Sequence, residues 1–332
     1  MPRIAYIDTA KGIAALLIVF LHLAPVQSGR MMWLFVYCVP LFFCISGMFY
    51  KDYGSWDALL RRKAATLLLP FAGWYAIGYL IHAAGHTVTG IALEDDFSFF
   101  KVFRTNEIFN LPVWFFLSLF WTTLIYYAID RVVKSALGKP LSVAALAGVG
   151  LLMSHFGVFN ALYIGSSLSC LPFYYFGVLA GSTLRRTPGR EQRRIAAAAL
   201  AASAATLLGI DLWLGLPDFA CYRNELVSGS LVSFYICAVS FSAALLALSA
   251  LVGNVGVLSW FGRHTVVVLS AHLQPGVVIA SAISALAGDY AEGETVALLT
   301  FVSVLALMPL IVWLSKKYLP HISGVYSWRS GN

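Results

Sequence analysis

The stretch AKGIAALLIVFLHLAPVQS, residues 10–28, decides how the whole chain is read. Its Ala, Leu, Ile, Val and Phe content and its length match the roughly 20 apolar residues that carry an α-helix across a hydrocarbon core of about 30 Å. Within it stand Lys11 and His22. Ionisable groups are costly in hydrocarbon and are kept where they face a cavity or a partner. The stretch therefore reads both as a membrane span and as the first place to look for chemistry. A basic start before an apolar run is also the pattern of a cleavable signal. No convincing small-residue cleavage site follows it, however, and Asp8, Lys11 and His22 are foreign to such a signal, so it is kept as a helix.

Comparable apolar runs recur at 31–50, 64–85, 112–129, 141–158, 162–184, 195–216, 226–251, 264–287 and 295–315, with polar breaks between them. Composition agrees: 60% of the 332 residues are hydrophobic and 11% are charged, against roughly 25% charged in a soluble domain. The expected architecture is all-α, a polytopic bundle of about ten transmembrane helices forming one membrane domain over 1–332. The five cysteines, Cys38, Cys44, Cys170, Cys221 and Cys237, fall mostly in apolar runs without CxxC or zinc-ligand spacing, and read as packing residues.

Charge tests that count, because Lys and Arg concentrate on cytoplasmic flanks of membrane helices. With the N-terminus inside, the inner segments carry Arg3 and Lys11; Lys51, Arg61, Arg62 and Lys63; Arg131, Lys134 and Lys139; Arg185, Arg186, Arg190, Arg193 and Arg194; Arg263; and Lys316, Lys317 and Arg329. Only Arg30, Lys101, Arg104 and Arg223 fall outside, where most acids collect, among them Glu94, Asp95, Asp96, Glu107, Asp289, Glu292 and Glu294. Both termini are therefore expected in the cytoplasm. The net charge of +7 reads as orientation and lipid-headgroup contact, not nucleic-acid binding. The longest outer stretch, 86–111, carries Phe97, Phe99, Phe100, Phe103 and Phe109 among charges and is expected to lie on the outer membrane surface.

At about 100° per residue, the eleven-residue step from Lys11 to His22 is three turns plus about 20°, so both project from one helical face about 16 Å apart along the axis. Asp8 falls near that face. A cation and a carboxylate thus sit at the inner mouth with an imidazole deep in the bundle. Such an imidazole can take a proton from a hydroxyl or attack an activated acyl group; the alternative is a hydrogen bond to a neighbouring helix. His82 and His86, four residues apart, share a face, but no third metal ligand is evident and no metal is expected. Trp114, Trp121, Tyr126 and Tyr127 either line a groove for a sugar or belong to an interfacial aromatic belt.

Six segments, in order, resemble the membrane acyltransferase family 3. They are YIDTAKGIAALLIVFLH with Lys11 and His22; VPLFFCISGMFYK with Phe42, Phe43, Ser46 and Gly47; RRKAATLLLPF; LPVWFFLSLFW; LPFYYFGVLAG; and LSWFGRHTVVVLSAH ending in His272. Any one of these is weak, but six in register are specific. Lys11 stands where many members have Arg, and the Arg-x-x-Arg pair of some members is replaced by the contiguous Arg61, Arg62 and Lys63. The resemblance implies transfer of an acyl group, most commonly acetyl from acetyl-CoA, to a sugar hydroxyl of a surface polysaccharide or lipid-linked glycan. It implies His22 as the catalytic residue with Lys11 in support, and a multi-pass protein of a bacterial cytoplasmic (inner) membrane.

Physical chemistry extends that expectation. The anionic nucleotide end of an acyl-CoA needs cations at the inner mouth, which Lys11, Arg61, Arg62 and Lys63 supply, with Ser46 and Arg263 as further donor-side contacts. Asp8 is an ion-pair partner of Lys11, since about 21 Å of helix separates it from His22. Ser46 or Trp114 is the candidate oxyanion donor. Trp114 and His272 are the candidate acceptor-side residues, His272 equally a structural hydrogen-bonding group. Partners are then the acyl-CoA donor, the glycan acceptor and membrane lipid, with homo-oligomerisation open. A transporter or flippase for a small anion or lipid-linked sugar is the alternative class, disfavoured by the absence of repeat symmetry.

Overall fold

The computed structural model describes residues 5–23, 36–89, 97–187, 189–287 and 293–324. Arg3, Arg30, Glu94, Asp95, Asp96, Asp289, Glu292 and Arg329 lie outside the described residues. The described chain is almost wholly helical. In order the helices are α1 (Ala5–Leu23), α2 (Cys38–Met48), α3 (Trp56–Lys63), α4 (Leu69–Thr89), α5 (Trp114–Val132), α6 (Gly138–His155), α7 (Ile164–Ser169), α8 (Leu171–Arg186), α9 (Gly189–Leu214), α10 (Leu231–Val252), α11 (Gly256–Arg263), α12 (Thr265–Ala271), α13 (Leu273–Ala287) and α14 (Gly293–Tyr318). A two-stranded antiparallel hairpin, β1 (Asp218–Ala220) with β2 (Glu225–Ser228), is the one departure from all-α among the described residues.

Each of the ten expected spans meets a helix or a bent pair of helices, yet not every one has the dimensions of a crossing. Among the described residues, six helices are long and apolar enough to cross a membrane, or eight if each bent pair is one span. The stretch expected as 31–50 is described as only the 11-residue α2, and α6, at 18 residues, is more polar at its ends. The bent pairs have a covalent cause. Ala161–Ser169 meets Leu171–Leu184 at 52°, and Thr265–Ala271 meets Leu273–Leu286 at 45°. Pro172 and Pro275 stand just past these breaks; neither has an N–H for the carbonyl four residues earlier, Leu168 or Ala271, and each ring crowds that carbonyl. Pro70 likewise has no N–H for the Thr66 carbonyl, but α3 runs on into α4, and the five residues Ala64–Leu68 between them widen into a π-helical turn.

The helices fall into two compact units. The first comprises Met1–Leu17, Ser28–Asp52 and Trp121–Arg263. Inside it, α2 and α8 meet backbone to backbone: a Cβ on Gly177 would overlap the Cys44 carbonyl, and one on Gly47 would overlap that of Tyr174. Small residues permit this approach in lipid, where packing rather than water expulsion joins helices. Gly177→Val should therefore force the two helices apart and cost about 1–3 kcal/mol or more, seen as a lower thermal midpoint in detergent at unchanged helical content.

The second unit comprises Ile18–Gln27, Tyr53–Phe120 and His264–Asn332. Here residues 97–110 pack against α4. Phe97 stacks on Tyr79 at 5.0 Å, Phe99 meets Tyr75 edge-on at 5.2 Å, and Phe109 packs among Tyr75, Tyr79 and Phe97. Lys101, 4% exposed, lies 4.3 Å over the Phe109 ring and 3.6 Å from the Glu107 carboxylate. Phe100 and Phe103 stay mainly exposed and are the rings left for a lipid surface. These aromatic partners on α4 are invisible in the segment's own composition.

Candidate active site

The second unit brings two of the expected residues together. His22, in the last turn of α1, places its Nδ1 2.8 Å from Nε2 of His272, with the rings near parallel at 10°. His272 is completely buried and sits at the break between α12 and α13. Two contacts seat the end of α1. Phe20 meets Phe301 of α14 edge-on at 5.1 Å, and Gly276 leaves no room for a Cβ against Leu23.

The hydrogen bonds define the tautomers. Nδ1 of His272 lies 3.0 Å from the Val268 carbonyl oxygen. A carbonyl only accepts, so Nδ1 of His272 carries the hydrogen, and its Nε2, in the neutral ring, carries a lone pair. That lone pair accepts from His22, whose Nδ1 must then be the protonated nitrogen. The consequence is directional: His22 Nε2 holds the basic lone pair. This is the arrangement of a histidine base oriented by a second group, with an imidazole in the orienting place.

His272 is held by the break that carries it. The last four carbonyls of a helix lack intrahelical donors, and Pro275 removes one donor more. The Val268 carbonyl receives His272 Nδ1–H, and the Ser270 carbonyl receives Asn110 Nδ2–H at 2.7 Å. Asn110, 1% exposed, enters just before the 3-10 turn Leu111–Val113, and Gly78 of α4 lets it approach: a Cβ there would lie 3.0 Å from that of Asn110. Sequence reasoning passed over Asn110. The signal was available in an amide set within the apolar run IFNLPVW, since a buried amide is expensive without partners.

The remaining predicted residues fall as follows. In the first unit, Asp8 and Lys11 are 4.0 Å apart, i and i+3 on α1, with side chains 12% and 28% exposed. Their turn of helix is fastened through Thr9, whose hydroxyl donates to the Gly253 carbonyl at 3.0 Å, lies 2.9 Å from Ser259 Oγ and accepts from the Val255 N–H at 3.2 Å. Gly12 and Gly262 make the same contact close, since a Cβ on either would overlap the backbone of Leu258 or Asp8. Ser46 is half-buried on α2, and Arg263 is exposed at the end of α11. In the second unit, Arg61 and Arg62 are exposed on α3, and Arg61 bonds Asp57 at 3.0 Å; Lys63 lies 5.8 Å over the Tyr53 ring. Ser55 caps that helix by accepting from the Ala58 N–H, and the three cations close its last turn, where the helix dipole favours them. Trp114 is buried at the start of α5. His82 donates to its own helix at the Gly78 carbonyl, 2.8 Å away, and its ring lies against Phe109.

The long apolar helices define a class, that of polytopic membrane proteins, here with two hydrogen-bonded imidazoles among them. The family narrows it. Residues 4–316 match the acyltransferase domain model of membrane acyltransferase family 3 (Acyl_transf_3), and the chain belongs to that family. No curated protein and no solved structure matches it. It is accordingly a multi-pass membrane acyltransferase.

Proposed function

We propose that the protein transfers an acetyl group from acetyl-CoA to a sugar hydroxyl of a surface polysaccharide or its lipid-linked precursor, with His22 as general base. The observation that carries this is the His22–His272 pair, which leaves a basic Nε2 on a histidine of a membrane acyltransferase. In the proposed reaction His22 Nε2 takes the proton of the acceptor hydroxyl as its oxygen attacks the thioester carbonyl. The carbonyl re-forms as the C–S bond breaks, and the proton passes from His22 to the departing thiolate, giving free coenzyme A and the ester. His272 orients the base and accepts from its Nδ1–H throughout, a role that replaces direct acceptor contact. Trp114 stays the proposed acceptor-side residue.

The cations that the sequence puts on the inner flank, Lys11, Arg61, Arg62 and Lys63, are the proposed partners of the coenzyme's phosphates. Ser46 and Arg263 are donor-side contacts on the family resemblance. The same reading places both termini in the cytoplasm of a bacterial inner membrane, with ten crossings once α2 and α6 are counted.

The test is release of thiol from acetyl-CoA by purified protein in nanodiscs, with radiolabelled acetyl followed into a glycan-lipid fraction. Coenzyme A release with label in the glycan supports the reading; a protein that neither binds nor turns over any acyl-CoA overturns it. Lys11→Ala should raise the KM for acetyl-CoA about tenfold, the loss of one charge-assisted contact of roughly 1.5–3 kcal/mol at its lower end. Lys11→Arg, which keeps the charge, should stay within about threefold.

A further inference from the structure

We infer that Asn110 is a positioning residue for the His22–His272 pair: its amide fixes the helix break that presents His272 Nε2. The inference rests on the reading of that pair as the oriented base.

Four observations converge. The break is at His272 itself, so the imidazole's direction depends on how the 45° bend is held. The end of α12 leaves its last carbonyls without intrahelical donors, and Asn110 Nδ2–H supplies one to Ser270, two residues before His272. That 2.7 Å bond is buried on both sides, where a freed carbonyl would meet no water. Finally, Asn110 is itself immobilised: Nδ2 also lies 3.4 Å from the Trp74 carbonyl, and the neighbouring Phe109 is locked into the aromatic cluster on α4.

Asn110 therefore joins three things that the sequence keeps apart: the segment 97–110, α4 and the break carrying His272. Its role is geometric, since its amide bonds the backbone of α12 and α4. If that bond is lost, the carbonyl of Ser270 seeks another donor and the bend at His272 relaxes. His272 Nδ1–H then no longer stays fixed on Val268, and the lone pair that fixes the tautomer of His22 loses its direction.

Two readouts test this in the full-length protein in nanodiscs. Imidazole nitrogen NMR of histidine-labelled protein reports tautomers directly, whether or not the pair is catalytic. Asn110→Leu, close in volume but without a donor, should shift His272 from a single Nδ1–H tautomer towards an averaged signal. In activity it should lower kcat about 10–100-fold with KM for acetyl-CoA within about twofold, and the loss should vanish in a His272→Ala background, the signature of a residue acting through another. Unchanged His272 signals would overturn the inference, as would an equal loss in both backgrounds. Shifted signals with unchanged kcat would uphold the positioning and sink the catalytic reading of the pair instead. Should Asn110→Leu fail to fold, Asn110→Ser enters the same cycle. Its shorter donor should give a smaller tautomer shift, and signals identical to wild type would again overturn the inference.

Discussion

His22→Ala should lower acetyl-CoA-dependent thiol release by at least about 10²–10⁴-fold, the contribution of a positioned general acid and base. Every step of the proposed reaction uses one atom of this side chain: Nε2 takes the acceptor proton and later returns it to the thiolate. Alanine supplies neither, and water cannot substitute with the same orientation in a half-buried place. The measurement compares equal amounts of folded protein, with coenzyme binding followed separately, because a variant that binds and does not turn over isolates the chemical step. A second consequence is a pH profile of known sign. Protonation of Nε2 occupies the lone pair, so activity must fall as the pH is lowered. The acid limb belongs to the two imidazoles as a unit, since they share a hydrogen bond. An alanine variant that releases thiol at the wild-type rate would remove His22 from the chemistry and leave the family's acyl transfer to another group.

Much of the fold was legible from local chemistry. The apolar runs at 10–28, 64–85, 112–129, 195–216, 226–251 and 295–315 each find a helix of crossing dimensions, because apolar length is a property of the stretch itself. What the runs did not disclose is where helices break. The prolines at 172 and 275 were in plain view inside apolar stretches, yet in membrane helices proline often leaves a span continuous. Only tertiary partners, such as Asn110 on the Ser270 carbonyl, show that one of these breaks has its freed groups satisfied from another segment. The partners of residues 97–110 were hidden for a related reason: phenylalanines fit a lipid surface or a protein face equally, and only the fold shows Phe97 and Phe99 meeting Tyr79 and Tyr75 of α4. At the site, the contact between His22 and His272 spans 250 positions, and no spacing rule reaches that far. The ion pair of Asp8 with Lys11 was local and was legible.

His272→Ala tests the part of the site that spacing could not reveal. It removes the acceptor of the His22 Nδ1–H and leaves a buried donor without its partner, a loss of about 1–3 kcal/mol for the neutral case. The ring of His22 can escape that cost by moving its hydrogen to Nε2 and leaving the lone pair on Nδ1. That tautomer is inactive in the proposed reaction, because the atom facing the acceptor hydroxyl would then donate instead of accept. The expected loss is about 10²-fold in kcat, smaller than that of His22→Ala since a fraction of molecules keeps the productive tautomer. His272→Gln separates orientation from bulk: its amide oxygen can accept the same hydrogen, so part of the activity should return, which a purely structural cavity would not explain. The decisive comparison is the acid limb. In wild type it reports two imidazoles, and in His272→Gln it must report one, so the two profiles differ in shape as well as height. Coincident profiles would mean that His272 only packs, and that His22 is oriented by another group.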